Sequence, residues 1–549
     1  MKNKNCHVPS FILNLLILFI LVQISHAYTP PIGIKNPDWG SIHPIDTQSP
    51  AWPSGWPSQE VPGYYYYDNR DPNCSDNNSY GYPAHPRCSI PRTISYPAGS
   101  YVEIHGGPYI QDRTQVFVFN GTENNPVWFR GGSGEQRPIL GGSTVFNGTY
   151  AFIENLYLTH RDDRYIHTRV GADTGPGPYY ADHLSFRHIE VEGDSQEVST
   201  GYSAFGISGN SPSELTGNIV FYDMHIHDVG SSIQGDVDYH GFKIDEYAYN
   251  IWILDSNIHH LQGDSVQVGS YYHEEENKPH HVWVGGNTLH ENAENALDVK
   301  NARDLIFASN DMYGFYANSS SAGNAVGIRS YDSRARNVWI INNKIHQANI
   351  GIKNQNVDNV YVLSNLIFEI NTGDGSEYME GVYLFDQNNN DVLVGNVMTS
   401  DEYGLAMKSG GNHSWDIEYN YFLRSRIHDI IYEDSEVMEF DHNKFSDFSV
   451  LWGDHRYSSL TTFQSTKGLC LHCVNDFSIT INPEVSPRNN VVSSVAKESL
   501  VHPAYTVFEN LYSVDIKNPL RGQSHTPPTP QPSHPPLPIR PGAIMLLLK

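Results

Sequence analysis

The chain has 549 residues, with 61 acidic against 34 basic side chains and a formal net charge of −27. That charge disfavours nucleic acid and anionic membrane as general partners, so any basic site must be local. Charged residues are only 17%, while 45 glycines and 33 prolines accompany 39% hydrophobic residues; this mix is poor in helix formers, rich in turn formers, and predicts an all-β chain with a sizeable core. "MKNKNCHVPS" reads as a cationic leader, "FILNLLILFILV" as its apolar stretch, and "QISHA" ends in small residues at Ala27. Residues 1–27 are therefore read as a signal peptide, giving a secreted, extracellular chain that starts near Tyr28 with no membrane span.

Residues 28–149 are Pro-rich and aromatic, and read as an irregular N-terminal segment and cap. Within them "SYVEIHGGPY", "QVFVFNG" and "NPVWFRGG" alternate like short strands. Beyond the leader stand Cys74, Cys88, Cys470 and Cys473. Four cysteines allow three pairings, and proximity favours Cys74–Cys88 and Cys470–Cys473.

Residues 150–460 are repetitive. "NIWILDSNIHH", "HVWVGGNTLHE", "DLIFASNDMYG", "NVWIINNKIHQ" and "NVYVLSNLIFE" each run apolar residues into Asn257, Asn287, Asn310, Asn343 or Asn365. Asn suits a tight corner, and stacked amides can bond along a coil. A second set alternates with these: "GFKIDEY", "SVQVGSY", "ALDVKNA", "AVGIRSY", "NIGIKNQ", "GVYLFDQ" and "GLAMKSG". Its second apolar position falls at Ile207, Ile244, Val268, Val299, Ile328, Ile352, Leu384 and Met407, at spacings of 37, 24, 31, 29, 24, 32 and 23. The short spacings are one tight turn and the long ones the same turn with a loop inserted. This pattern predicts a single-stranded right-handed parallel β-helix of about ten turns; propeller blades need longer repeats. Residues 461–524 form a C-terminal extension, and 525–549, with "HTPPTPQPSHPPLPIRPG", a Pro-rich tail. The chain is expected to be a monomer.

Alternate residues of each second strand face outwards. This places Asp245, Gly269, Lys300, Arg329, Lys353, Phe385 and Lys408 in one column, and Lys243, Gln267, Asp298, Gly327, Gly351 and Tyr383 in the one before it. Like charges at strand spacing repel, which a structural sheet avoids and a polyanion site uses. Lys300 and Arg329 are the candidate catalytic pair. Lys353, Lys243, Tyr383 and Phe385 are candidate substrate contacts, the rings closing one end of a groove. Asp245, Asp264, Glu294 and Asp298 are candidate ligands for Ca2+, or counter-ions for the cations. A solvated surface row, with the acidic "HEEEN" stretch pairing the cations, is the alternative without chemistry.

The opening "YYYYDNRDPNCSDNN…PRCSIPRTISYPAGSYVEIHGG" and the repeats "NALDVKNARDLIFASNDMYGF" and "GIRSYDSRARNVWIINNKI" resemble secreted β-helix proteins of the pectate-lyase-like superfamily, in particular polysaccharide lyases of the chondroitinase B and alginate lyase kind. The likeness covers roughly Tyr64 to Leu460. It implies that Lys300 on one turn and Arg329 on the next do the chemistry beside a calcium ion, on an anionic polysaccharide containing uronic acid. The spacing of carboxylates before Lys300, at Glu291 and Glu294, departs from that family's. A lyase is the expected function. A non-catalytic glycan-binding coil, a C5-epimerase and a β-helix glycoside hydrolase are the alternatives.

Overall fold

The computed structural model describes residues 56–475, apart from 111–113, 135, 160–166, 172–176, 196–201, 232–237, 270–273, 319–320, 331–333, 372–378, 386–387, 401, 409–413, 424–427 and 433–436. The segments expected to be a signal peptide and a Pro-rich tail, and most of the expected C-terminal extension, fall outside the described residues.

The described chain winds as the expected parallel β-helix, with three faces. One turn shows the pattern. Asn324–Arg329 lies on the first face, Ala335–Ile341 on the second and Lys344–Ala348 on the third. Ile350–Gln355 then returns to pair in parallel with Asn324–Arg329. Among the described residues the third face holds 13 strands, from Tyr109–Ile110 to Lys444–Phe445, more than the ten or so turns read from the repeats. The extra turns lie before Tyr150, where Thr93–Pro97 pairs with Gln115–Asn120, and that strand with Ser143–Glu154. Those turns lack the apolar-to-Asn corner that marks the turns from Asn287 onwards.

Val268, Val299, Ile328 and Ile352 are fully buried inside the coil, as expected. Burying such a side chain stabilises by about 1.5–3 kcal/mol. Their register differs at one step. Val268 faces Val299 and Val299 faces Ile328, but Ile328 faces Asn354, and Ile352 faces Val326. Asn354 is a fully buried amide in an otherwise apolar column. A ruler built on apolar residues stepped over it and slid by two.

The corner between the second and third faces carries a ladder of buried amides. Nδ2 of Asn287, Asn310, Asn343, Asn365, Asn396 and Asn420 each donates to Oδ1 of the next, ending on Asn443, at 2.9–3.2 Å. Each Nδ2 also reaches a backbone carbonyl, as Asn343 does with Phe307 at 2.9 Å. The residue before each ladder position, such as Ser309, Asn342 or Ser364, takes positive φ, so the αL bend falls one place ahead of the amide. Asn257 is not in this ladder. Ser256 holds that position, its N–H donating to Asn287 Oδ1 at 2.9 Å, and Asn257 starts a third-face strand.

The C-terminal end is closed by the helix Leu460–Lys467, capped by Ser459 and ended by Gly468 at φ 68°. Its Phe463 is fully buried against Phe448, Trp452 and Tyr457. Both expected disulfides, Cys74–Cys88 and Cys470–Cys473, are formed. No described helix is long and apolar enough to cross a membrane.

Candidate functional site

The middle of the first face is built by the parallel strands Tyr239–Ile244, Val266–Val268, Leu297–Val299, Asn324–Arg329, Ile350–Gln355 and Glu380–Phe385. Their register gives one outward column of Lys243, Gln267, Asp298, Gly327, Lys353 and Tyr383. Lys300 and Arg329 follow Asp298 and Gly327 by two, so they project side by side on neighbouring strands, about 4.8 Å apart at the backbone. Lys353 does not continue their column. The shift at Asn354 puts Gln355 opposite Arg329 and Lys353 opposite Gly327. Gly351 faces inwards, where an added Cβ would meet Gly381 O at 2.4 Å, so only Gly327 leaves the groove floor low.

Lys300 is half-buried and donates to Asp298 Oδ2 at 2.6 Å. Asp298 itself is 6% exposed. Burial, and then the nearby charge of Asp264, push its carboxyl up to about 6 against the pull of Lys300. Gln267 Nε2 bridges the two acids, 3.4 Å from Asp298 Oδ2 and 3.3 Å from Asp264 Oδ2. Arg329 is exposed. Lys243 lies 3.6 Å from Asp245 Oδ2. Lys353 Nζ stands 5.7 Å over the Tyr383 ring and 6.0 Å over Phe385, and Lys408 Nζ 5.8 Å over Tyr383.

Among its described residues the acidic "HEEEN" stretch does not pair with this row; its Glu275 binds Lys278, Arg303 and Arg336. The four carboxylates expected to hold calcium do not gather as one set. Asp264 and Glu294 meet, but with the imidazole of His240 as their third member. Asp245 is turned to Lys243 and Asp298 to Lys300. Asp264 is fully buried, and its Oδ1 already accepts the N–H and Nδ2 of Asn295 at 3.0 and 2.7 Å. His240 Nδ1 lies 3.1 Å from the Asp264 N–H and 3.2 Å from its Oδ2, accepting from the first when neutral and donating to the second when protonated. Burial alone pushes the Asp264 carboxyl up, but His240, Lys300 and Asn295 outweigh it and hold it below the usual range. Calcium takes about six to eight oxygens. Two acids, one of them with both oxygens already bonded, joined by an imidazole, do not fit it.

The sequence reading missed His240, Asn295 and Asn324, and gave Gln267, placed in the outward column, no role. His240, Asp264, Asn295 and Asn324 each stand three residues before Lys243, Gln267, Asp298 and Gly327, a polar corner column visible in "HGFK", "DSVQ", "NALD" and "NAVG". Asn324 Nδ2 donates to Asn295 Oδ1 at 3.1 Å, linking this corner across turns.

No family model and no curated protein matches the chain. Among solved structures it is similar to the periplasmic alginate epimerase AlgG, at 10% identity and TM-score 0.41, over 65% of this chain and 79% of that one. It is also similar to the GH136 lacto-N-biosidase from Eubacterium ramulus, at 13% identity and TM-score 0.37, over 68% of each chain. A third is a mannuronic acid specific polysaccharide family 6 lyase from human gut microbiota, at 11% identity and TM-score 0.36, over 64% of this chain and 85% of that one. Likenesses this distant transfer neither an activity nor a residue to this chain.

Proposed function

We propose that the first face binds an anionic, uronate-bearing polysaccharide and cleaves it by β-elimination at Asp298, Lys300 and Arg329. The observation that carries this reading is the pairing of an exposed Arg329 with a Lys300–Asp298 ion pair on the neighbouring strand, beside the low floor at Gly327. Cations gathered on one face of a chain of net charge −27 favour a polyanion locally.

The chemistry needs a proton removed from the carbon next to a carboxylate. Arg329 neutralises that carboxylate, so the negative charge developing on it is tolerated. The Lys300–Asp298 pair accepts the proton as one unit, since two groups this close titrate together. The C–H electrons form the new double bond, the glycosidic C–O bond breaks, and the leaving oxygen takes a proton from the pair. Lys353 and Lys408 hold further carboxylates along the chain, with Tyr383 and Phe385 beneath them. No step runs through a metal ion. A second reading, glycoside hydrolysis, is favoured by one observation: Asp298 keeps a proton to about pH 6, as a general acid must. Incubation with alginate, pectate and glycosaminoglycans separates the two. Elimination produces ultraviolet absorbance from the unsaturated uronate, whereas new reducing ends without absorbance would mean hydrolysis.

A further inference from the structure

The third face carries a feature that the first-face site does not use. Glu190–Glu192 pairs with His225–Val229, placing Glu190 opposite His225 and Glu192 opposite His227. His225 and His227 are two apart on one strand, so both rings project to the same side. One nitrogen of each and one oxygen of Glu190 lie within 4.8 Å of one another. His227 Nε2 is buried and without a hydrogen bond, 3.6 Å from Glu190 Oε1. That gap is long for a hydrogen bond but close to the roughly 3.4 Å between two ligands of a tetrahedral ion at about 2.1 Å.

Neighbouring groups fix these donors as second-layer partners of a metal do. His227 Nδ1 is 2.8 Å from Asp228 Oδ2, so its proton goes to that carboxylate and Nε2 keeps a lone pair facing Glu190. Arg137 Nη1 holds Glu190 Oε2 at 2.8 Å and leaves Oε1 turned towards the histidines. His225 Nε2 meets His259 Nε2 at 3.1 Å, which orients the second ring. A surface depression of about 420 Å³, lined in part by Asp223, His225, Asn257 and Thr288, opens beside the cluster.

We propose that Glu190, His225 and His227 form a binding site for a zinc-class divalent ion, separate from the first-face site. Two imidazoles and one carboxylate suit zinc better than calcium, and three protein ligands leave a fourth position for water or another donor. The ion ties two successive turns together, so its binding also raises the melting temperature by mass action.

The test is equilibrium dialysis of the metal-stripped full-length protein against micromolar zinc, with elemental analysis and thermal melting. The parent is expected to bind one tight equivalent and to melt higher with zinc. His225→Gln, His227→Gln and Glu190→Gln are each expected to weaken that equivalent at least tenfold. Asp264→Asn and Asp441→Asn, which disrupt the two His-containing clusters among the described residues that do not share His227, are expected to retain it. Glu190→Gln keeps size and shape at a partly exposed site, so the test survives if a histidine variant fails to fold. A parent that binds no zinc overturns the proposal. So does an equivalent that persists in all three ligand variants or disappears in Asp264→Asn or Asp441→Asn.

Discussion

At the scale of single residues, Asp298 dominates. Its folded pKa of about 6 lies above the unfolded aspartate value of about 3.9. Between those values the folded chain keeps a proton that the unfolded chain has released. Asp298 therefore stabilises the fold at low pH, and that contribution is lost as pH rises through 4 to 6. Lys300 is the partner that keeps the ionised carboxylate tolerable above pH 6. Lys300→Ala is expected to lose stability above pH 6, on the order of 1–3 kcal/mol, because it leaves a buried carboxylate without its partner. It should match the parent near pH 4, and Lys300→Ala combined with Asp298→Asn should recover the loss. Denaturant melts at pH 4 and 8 check this, and an equal loss at both values contradicts it. Lys353→Ala, beside Gly327 and over Tyr383, is expected to raise KM with little change in kcat, read from initial rates on a cleaved polymer.

At the scale of elements, the amide ladder bears the most weight. Asn343 Oδ1 accepts both the backbone N–H and Nδ2 of Asn310, while its Nδ2 donates to Phe307 O and Asn365 Oδ1. All four bonds are buried, so Asn343→Ala is expected to cost about 3 kcal/mol. Asn257→Ala, at a half-buried strand start, should cost well under 1 kcal/mol, and urea melts of the two variants make the comparison. This contrast shows how far the sequence could be read. The repeat of apolar residues running into Asn announced the coil and most of its ladder, because burial and amide stacking both leave a period in the chain. It failed at "LDSN", where Ser256 takes the ladder position and the neighbouring Asn257 imitates it. It failed again at "GIKN", where buried Asn354 interrupts an apolar column and displaces Lys353 from Arg329's column. Lys300 and Arg329 were legible as a pair because Val299 and Ile328 keep the apolar rule. The Lys300–Asp298 contact was not, since a rotamer leaves no trace in spacing. The ring stack of His259, His290, Tyr313, His346 and Phe368 was equally hidden.

At the scale of the whole molecule, the pH dependence of stability is a balance between two buried populations. Burial, ahead of other causes, lifts Asp391 and Glu380 to about 7, with Asp298 at about 6. These groups withdraw stability as pH rises from about 4 through 7. Burial also lowers His225 to about 4 and His259 and His280 to about 3. The unfolded chain protonates those rings below about 6.5, so they withdraw stability as pH falls through that value. The two trends oppose each other, and the melting temperature is expected to vary little between about pH 4.5 and 6.5. Single variants should uncover each side. Asp391→Asn, inside the coil near Asn354, Asn388 and Trp415, should melt several degrees above the parent at pH 8 and show no gain at pH 5. His259→Phe, in a column that already accepts Phe368, should do the reverse. The claim that gives this coil a function is that Arg329 and the Lys300–Asp298 pair eliminate across a uronate linkage. The most direct measurement is the initial rate of ultraviolet absorbance on a polymer that the parent cleaves, for parent, Arg329→Ala and Asp298→Asn. The account predicts a loss on the order of a hundredfold or more in each variant, with Arg329→Ala melting like the parent. An Arg329→Ala protein that melts normally and cleaves at the parent's rate would contradict it.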